Sequence, residues 1–158
     1  MYCQFAVYIF FKGISVKFGG NIGSNYAKFD DKTKTLLLKK SGSLEAFEEA
    51  MKQENTRYKV RWHSDKDYHA TTSYIGTIYH ELGHAIDIDT GQALSRKLSN
   101  DDNLFELSTK ISVYAGSSQG VRVTPRSEAF AENFAAYMEG GKKAKDVPQE
   151  IIKKKKKY

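Results

Sequence analysis

Cysteine is almost missing from this sequence: Cys3 is the single one in 158 residues, so no internal disulfide can form and no thiolate zinc site can be built. Any bound metal must therefore use His, Asp or Glu. Long hydrophobic runs are missing too. The longest, Phe5 to Phe11, has seven residues and ends at Lys12, far short of the roughly 20 that a transmembrane helix requires. No basic segment precedes it and no Ala-x-Ala-like cleavage site follows, so it reads as a buried strand and not as a secretory signal. A cytoplasmic location is the default expectation, and no membrane partner is expected. The net charge of +6 suggests an excess of positive charge, but Lys153 to Lys157 supply five of the 25 basic residues, and without them 20 basic face 19 acidic residues. The body is nearly neutral. Residues 151–158 read as a solvated, disordered lysine-rich tail, and a nucleic-acid partner is not expected.

What is present describes a globular protein. At 40% hydrophobic, 28% charged and 13% aromatic residues, the chain can bury a core, and its length fits a single domain over residues 1–150. The expected class is α+β: a small mixed or antiparallel amino-terminal sheet packed on the helix that carries His80 to His84, followed by a mainly helical carboxy-terminal half. Residues 2–11 and 14–18 carry strand patterns. Tyr26 to Phe29 and Thr35 to Leu38 flank Asp30 to Lys34 as a hairpin with a polar loop. Ser43 caps a short amphipathic helix with Leu44, Phe47, Ala50 and Met51 on one face. Tyr58 to Trp62 alternates like a half-buried strand, and His63 to His69 reads as a polar loop with both histidines exposed. From Thr71 the period becomes helical, with a stop at Gly91. A helix is expected near residues 101–111 with Leu104, Leu107 and Ile111 as its stripe. A mobile loop is expected over 116–123. Thr124-Pro125 opens a last helix that ends at Gly140-Gly141.

The pattern that carries chemistry is His80-Glu81-Leu82-Gly83-His84. On a helix, residues four apart lie on one face, so both imidazoles can reach one cation, with Glu81 beside them as a base. Paired imidazoles favour zinc over the hard cations magnesium and calcium. A catalytic zinc needs a third protein ligand. The metzincin arrangement is excluded, because Thr90 stands where its third histidine belongs and Asp87 where its glycine belongs. Asp87 and Asp89 lie on the same helix, in a position for supporting or capping the ligands. Glu128 is the better third ligand, because its amphipathic helix can cross the first with this carboxylate facing the metal. Glu132, one turn later, can accept a proton from a ligand histidine and fix its tautomer.

His80 to Asp87, followed 44 residues after His84 by Glu128-Ala129-Phe130-Ala131-Glu132-Asn133-Phe134, resembles the gluzincin metallopeptidases, and within them the catalytic domain of anthrax lethal factor and the Pro-Pro endopeptidases of clostridia. The resemblance covers residues 70–138. Similar segments occur in proteins of phages and mobile elements of Gram-positive bacteria, which makes delivery as a toxin or phage component a second expectation for location. The resemblance implies a hydrolase with a zincin-like fold: a zinc-dependent endopeptidase with zinc on His80, His84 and Glu128, a water activated by the metal, Glu81 as general base, and a peptide or protein substrate.

One departure concerns the tyrosine that such enzymes carry shortly before the ligand glutamate. Val121 occupies that offset, with Arg122 next to it. Tyr114, in a setting like that of the family's tyrosine, lies 14 residues ahead of Glu128 and requires a loop insertion to reach the site. Tyr114 is therefore the expected oxyanion donor, with Arg122 as the substitute. The segment 116–120 is a candidate flap, and Tyr58 to Trp62 a candidate edge for an extended peptide. The alternative is a non-catalytic zinc-binding or degenerate peptidase module used in assembly or binding. The intact Glu81 argues against it, because a structural zinc has no use for a base there.

Overall fold

A computed structural model of the chain describes residues 13–18, 26–39, 43–62, 64–116 and 125–152. The apolar run at 2–11, the expected flap beyond Gly116, Arg122, His63 and the lysines at 153–157 lie outside them. The chain divides into two compact units, Met1–Lys40 and Ser41–Tyr158. The class is α+β, a small mixed sheet followed by a mainly helical remainder.

In the first unit, β1 (Ser15–Phe18), β2 (Ala27–Asp30) and β3 (Thr35–Leu38) form a three-stranded sheet in the order β1-β3-β2. The hairpin expected between β2 and β3 is present. Asp30 starts its turn by accepting hydrogen bonds from the backbone of Lys32 and Thr33, at 3.0 and 3.3 Å, as a short acidic side chain does in such loops. Register pairs Ala27 with Leu38 and Phe29 with Leu36, so one face carries four buried apolar side chains while Lys28 remains exposed. β1 joins β3 in parallel.

The second unit begins with α1 (Leu44–Trp62), where Ser43 accepts from the Ala46 N–H at 3.1 Å, as its capping position predicts. This helix corrects one expectation. Tyr58 to Trp62 is not a strand but the last turns of α1, and it offers no sheet edge for a peptide. The five-residue alternation was coincidental: extending a nucleated helix costs little, whereas a strand here needs a partner. Phe47, Met51 and Asn55 form the buried stripe at a spacing of four, while Val60 and Trp62 are 72% and 60% exposed.

After the loop at 64–73 comes α2 (Tyr74–Asp89), capped by Ser73, whose hydroxyl accepts from the Gly76 N–H at 2.8 Å. It stops at Gly91, which has the left-handed φ of 65° that a helix end favours. Two short helices follow, α3 (Ala93–Ser99) and α4 (Asp102–Ser108). Asp101 caps α4 through the Leu104 N–H. That helix ends before the expected Ile111, and Leu107 is 39% exposed, so the buried stripe keeps only Leu104 and Ile111. Next come α5 (Pro125–Glu139) and α6 (Gln149–Ile152). Ile151 is buried in α6, so the expected disordered tail does not begin at 151.

The core is built around α5. Ala129, Phe130 and Ala136 pack with Leu98, Leu104, Ile111, Ala115, Val147 and Ile151. Helices α2 and α5 approach closely at Gly83, where a Cβ atom would stand 2.9 Å from the Ala131 Cα. This contact sets the distance between the two helices that bear the polar site. No helix among the described residues is long and apolar enough to cross a membrane.

Candidate metal centre

Helix periodicity places His80 and His84 one turn apart on α2, and the close crossing with α5 brings Glu128 up to both. His80 Nε2 and His84 Nε2 are 3.2 Å apart. Glu128 Oε2 lies 3.2 Å from the first and 3.3 Å from the second. For ligands at about 2.0 to 2.1 Å from zinc in a tetrahedron, the edges are about 3.3 to 3.4 Å. The three atoms therefore form one face of a tetrahedron of the right size. Glu128 is 3% exposed, and its Oε2 has no hydrogen-bond partner. A buried carboxylate oxygen facing two imidazole nitrogens at this spacing makes a group that could hold a metal ion. The residues fit zinc.

The supporting contacts set the roles of the ring nitrogens. His84 Nδ1 lies 3.1 Å from the Ser127 hydroxyl, which can accept its proton and leave the Nε2 lone pair for the metal. His80 Nδ1 lies 2.9 Å from Glu132 Oε1, an ion-pair contact whose alignment falls short of a hydrogen bond. The other oxygen of Glu132 accepts from the Ala70 N–H at 2.5 Å and the Ser112 hydroxyl at 2.6 Å. Glu132 thus stands behind His80, as its spacing predicts.

Asp87, expected beside the same histidines, points elsewhere. It is 1% exposed, and its carboxylate accepts from the backbone of Leu94 and Ser95 at 3.1 and 2.9 Å, capping α3. Its work is at that helix start.

Tyr114 reaches the centre. Its ring lies 5.7 Å from that of His80 and 4.9 Å from that of His69. A short backbone ladder holds it there, in which Val113 and Tyr114 N–H groups donate to the carbonyls of Asp67 and Tyr68 at 3.0 and 2.9 Å. Burial, followed by the negative charges of Glu128, Glu132 and Glu81, pushes its hydroxyl well above the ordinary tyrosine range. It remains a protonated donor. Glu81 is half-buried on α2, close enough for its charge to act on that hydroxyl.

His69 is a second correction. It is not an exposed loop residue: its side chain is 16% exposed, with its ring against Tyr68 and Tyr114 and its nitrogens facing Glu54 and Glu132. Sequence reasoning also missed Ser112 and Ser127. Only the position of Ser127 next to Glu128 could have pointed to it.

The charges in this cluster set a pH dependence for the metal-free protein. Burial opposes the charge on Glu128, but His80 and His84 outweigh it and hold its carboxyl at about 2, below the ordinary 4.5. Burial likewise opposes the charge on His80, and Glu128 and Glu132 outweigh it, holding His80 well above 6.5. A depressed carboxyl contributes stability that is lost as pH falls from about 4.5 toward about 2. A raised histidine contributes stability that is complete below 6.5 and lost as pH rises through its folded value. The metal-free protein is therefore expected to be most stable between about pH 4.5 and 6.5. Unfolding by denaturant across pH checks this. Zinc held by this group would compete with the His80 proton, so its affinity is expected to rise with pH over the range where metal-free stability falls.

Comparison with protein-family models, with curated proteins and with solved structures finds no match for this chain.

Proposed function

We propose that this protein is a zinc-dependent endopeptidase of the gluzincin type. The observation that supports it most is the convergence of His80 Nε2, His84 Nε2 and the unpartnered Glu128 Oε2 within 3.3 Å of one another. Bound zinc would supply a Lewis acid and bring the pKa of a coordinated water toward about 7.

The remaining steps belong to the chain. Glu81, in the turn between the two histidines, takes the proton of the attacking water and later delivers it to the leaving amine. Tyr114 donates its hydroxyl hydrogen to the oxygen that gains charge when the peptide carbonyl is attacked, and its elevated pKa keeps that hydrogen in place. Glu132 and Ser127 hold the rings of His80 and His84 in one orientation.

Metal analysis of the purified protein tests this reading together with cleavage of a peptide library. The expected result is one zinc per chain and peptide cleavage that stops with chelator and returns with zinc. A chain that retains no metal, or whose cleavage ignores chelator, overturns it. Tyr114→Phe removes one donor. It is expected to lower kcat by roughly 10²- to 10³-fold, the usual loss for one oxyanion donor, while zinc content stays at one per chain. An unchanged kcat removes Tyr114 from that role.

A further inference from the structure

Residues 67–70 are tied to three other parts of the fold. The His69 N–H donates to Asn55 on α1 at 2.9 Å, and the Ala70 N–H donates to Glu132 on α5 at 2.5 Å. The carbonyls of Asp67 and Tyr68 accept from Val113 and Tyr114. The segment therefore joins the carboxylate behind His80 to the tyrosine beside it. At its centre is a histidine ring with a distinct contact on each side. Nε2 lies 3.6 Å from Glu54 Oε2, and Nδ1 lies 4.0 Å from Glu132 Oε1. One face of the ring is 4.9 Å from the Tyr114 ring.

We propose that His69 is a positioning residue of the metal centre: its Nδ1 side holds the Glu132 carboxylate behind His80, and its ring holds Tyr114 beside it. This rests on the metal-centre reading above. The partners of Glu132 make the case. Oε2 is taken by Ala70 and Ser112, so the direction of Oε1, the oxygen 2.9 Å from His80, is left to His80 and His69. Glu54 Oε2 is buried without a hydrogen bond and faces the same imidazole from the other side. A single ring thus lies between two carboxylates, at 3.6 Å from one and 4.0 Å from the other. An apolar side chain in its place would leave Glu132 Oε1 with His80 alone.

Two amides separate the nitrogens. In His69→Asn the amide nitrogen takes the place of Nδ1 and still faces Glu132. In His69→Gln it takes the place of Nε2 and faces Glu54. Zinc dissociation constants measured by competition with a chromogenic chelator, and visible spectra of the cobalt-substituted proteins, compare both with wild type. The expected result for His69→Gln is zinc binding weakened about tenfold, at the lower end of the loss seen when a ligand histidine's outer partner is disturbed, with altered cobalt bands. His69→Asn is expected to stay near wild type in both. A role in packing alone predicts no advantage for the shorter Asn, so zinc affinity and cobalt spectra that are equal in the two amides, or better kept in His69→Gln, overturn the proposal. A wild-type chain that binds neither metal overturns the metal-centre reading itself and this inference with it.

Discussion

Glu81→Gln is expected to abolish measurable peptide hydrolysis while leaving zinc bound at one per chain. The change removes the proton acceptor and keeps nearly the same shape. Loss of a positioned general base costs typically 10²- to 10⁴-fold, and in the proposed mechanism the same group also protonates the leaving amine, so the upper end applies. Zinc should be retained because Glu81 is not one of the three converging groups, which are His80, His84 and Glu128. Glu128→Ala is the opposite case. It removes one corner of the ligand triangle, and zinc should be lost on dialysis. The two variants together separate chemistry from metal binding, with zinc content and single-turnover cleavage as the measurements. If Glu81→Gln cleaves like wild type, the assigned base is wrong. If Glu81→Gln and wild type are both inactive while zinc is held tightly, the alternative of a non-catalytic zinc module gains ground.

The polar arrangement could be read from spacing because helices impose it. His80 and His84, and then Glu128 and Glu132, are each four residues apart, and a helix places such pairs on one face whatever the rest of the fold does. Ser43, Ser73 and Asp101 acted as helix caps for similarly local reasons. What could not be read depends on distant partners. Tyr58 to Trp62 satisfies both a strand and a helix pattern over five residues, and only the absence of a neighbouring strand among the described residues of the second unit decides between them. His69 reads as exposed within a polar loop, yet its burial comes from Tyr114, which is 45 residues away, and from Glu132, which is 63 residues away. Asp87 faces α3 because its carboxylate finds two free N–H groups at that helix start, a contact set by the sharp turn at Gly91 and Gln92. Local periodicity therefore located the three converging side chains, while tertiary contacts chose the residues packed around them.

The largest effect on the centre from a residue with no polar side chain is expected at Gly83. An added Cβ meets the Ala131 Cα at 2.9 Å and two further Cβ atoms, of Ala131 and Phe134, at 3.4 Å. Backbone cannot rotate out of the way, so α2 and α5 must separate. Overpacking of this kind costs about 1 to 3 kcal/mol, against about 1 kcal/mol gained from replacing glycine inside a helix. Gly83→Ala should therefore be modestly destabilised, and Gly83→Val, with two more methyl groups at the same contact, severely so. The metal should register the change more sharply than stability does. Gly83 adjoins His84, and Ala131 lies one turn after Glu128, so separation at this contact pulls the carboxylate from both imidazoles. Gly91→Ala supplies the contrast. It strains a left-handed φ of 65° with nothing within 4 Å of the new atom, at about 1 to 2 kcal/mol, without moving either helix. Chemical unfolding and zinc competition measured on both alanine variants should show comparable losses of stability but weakened zinc binding in Gly83→Ala alone. Equal zinc affinity in the two would mean that the helix crossing does not set the ligand triangle.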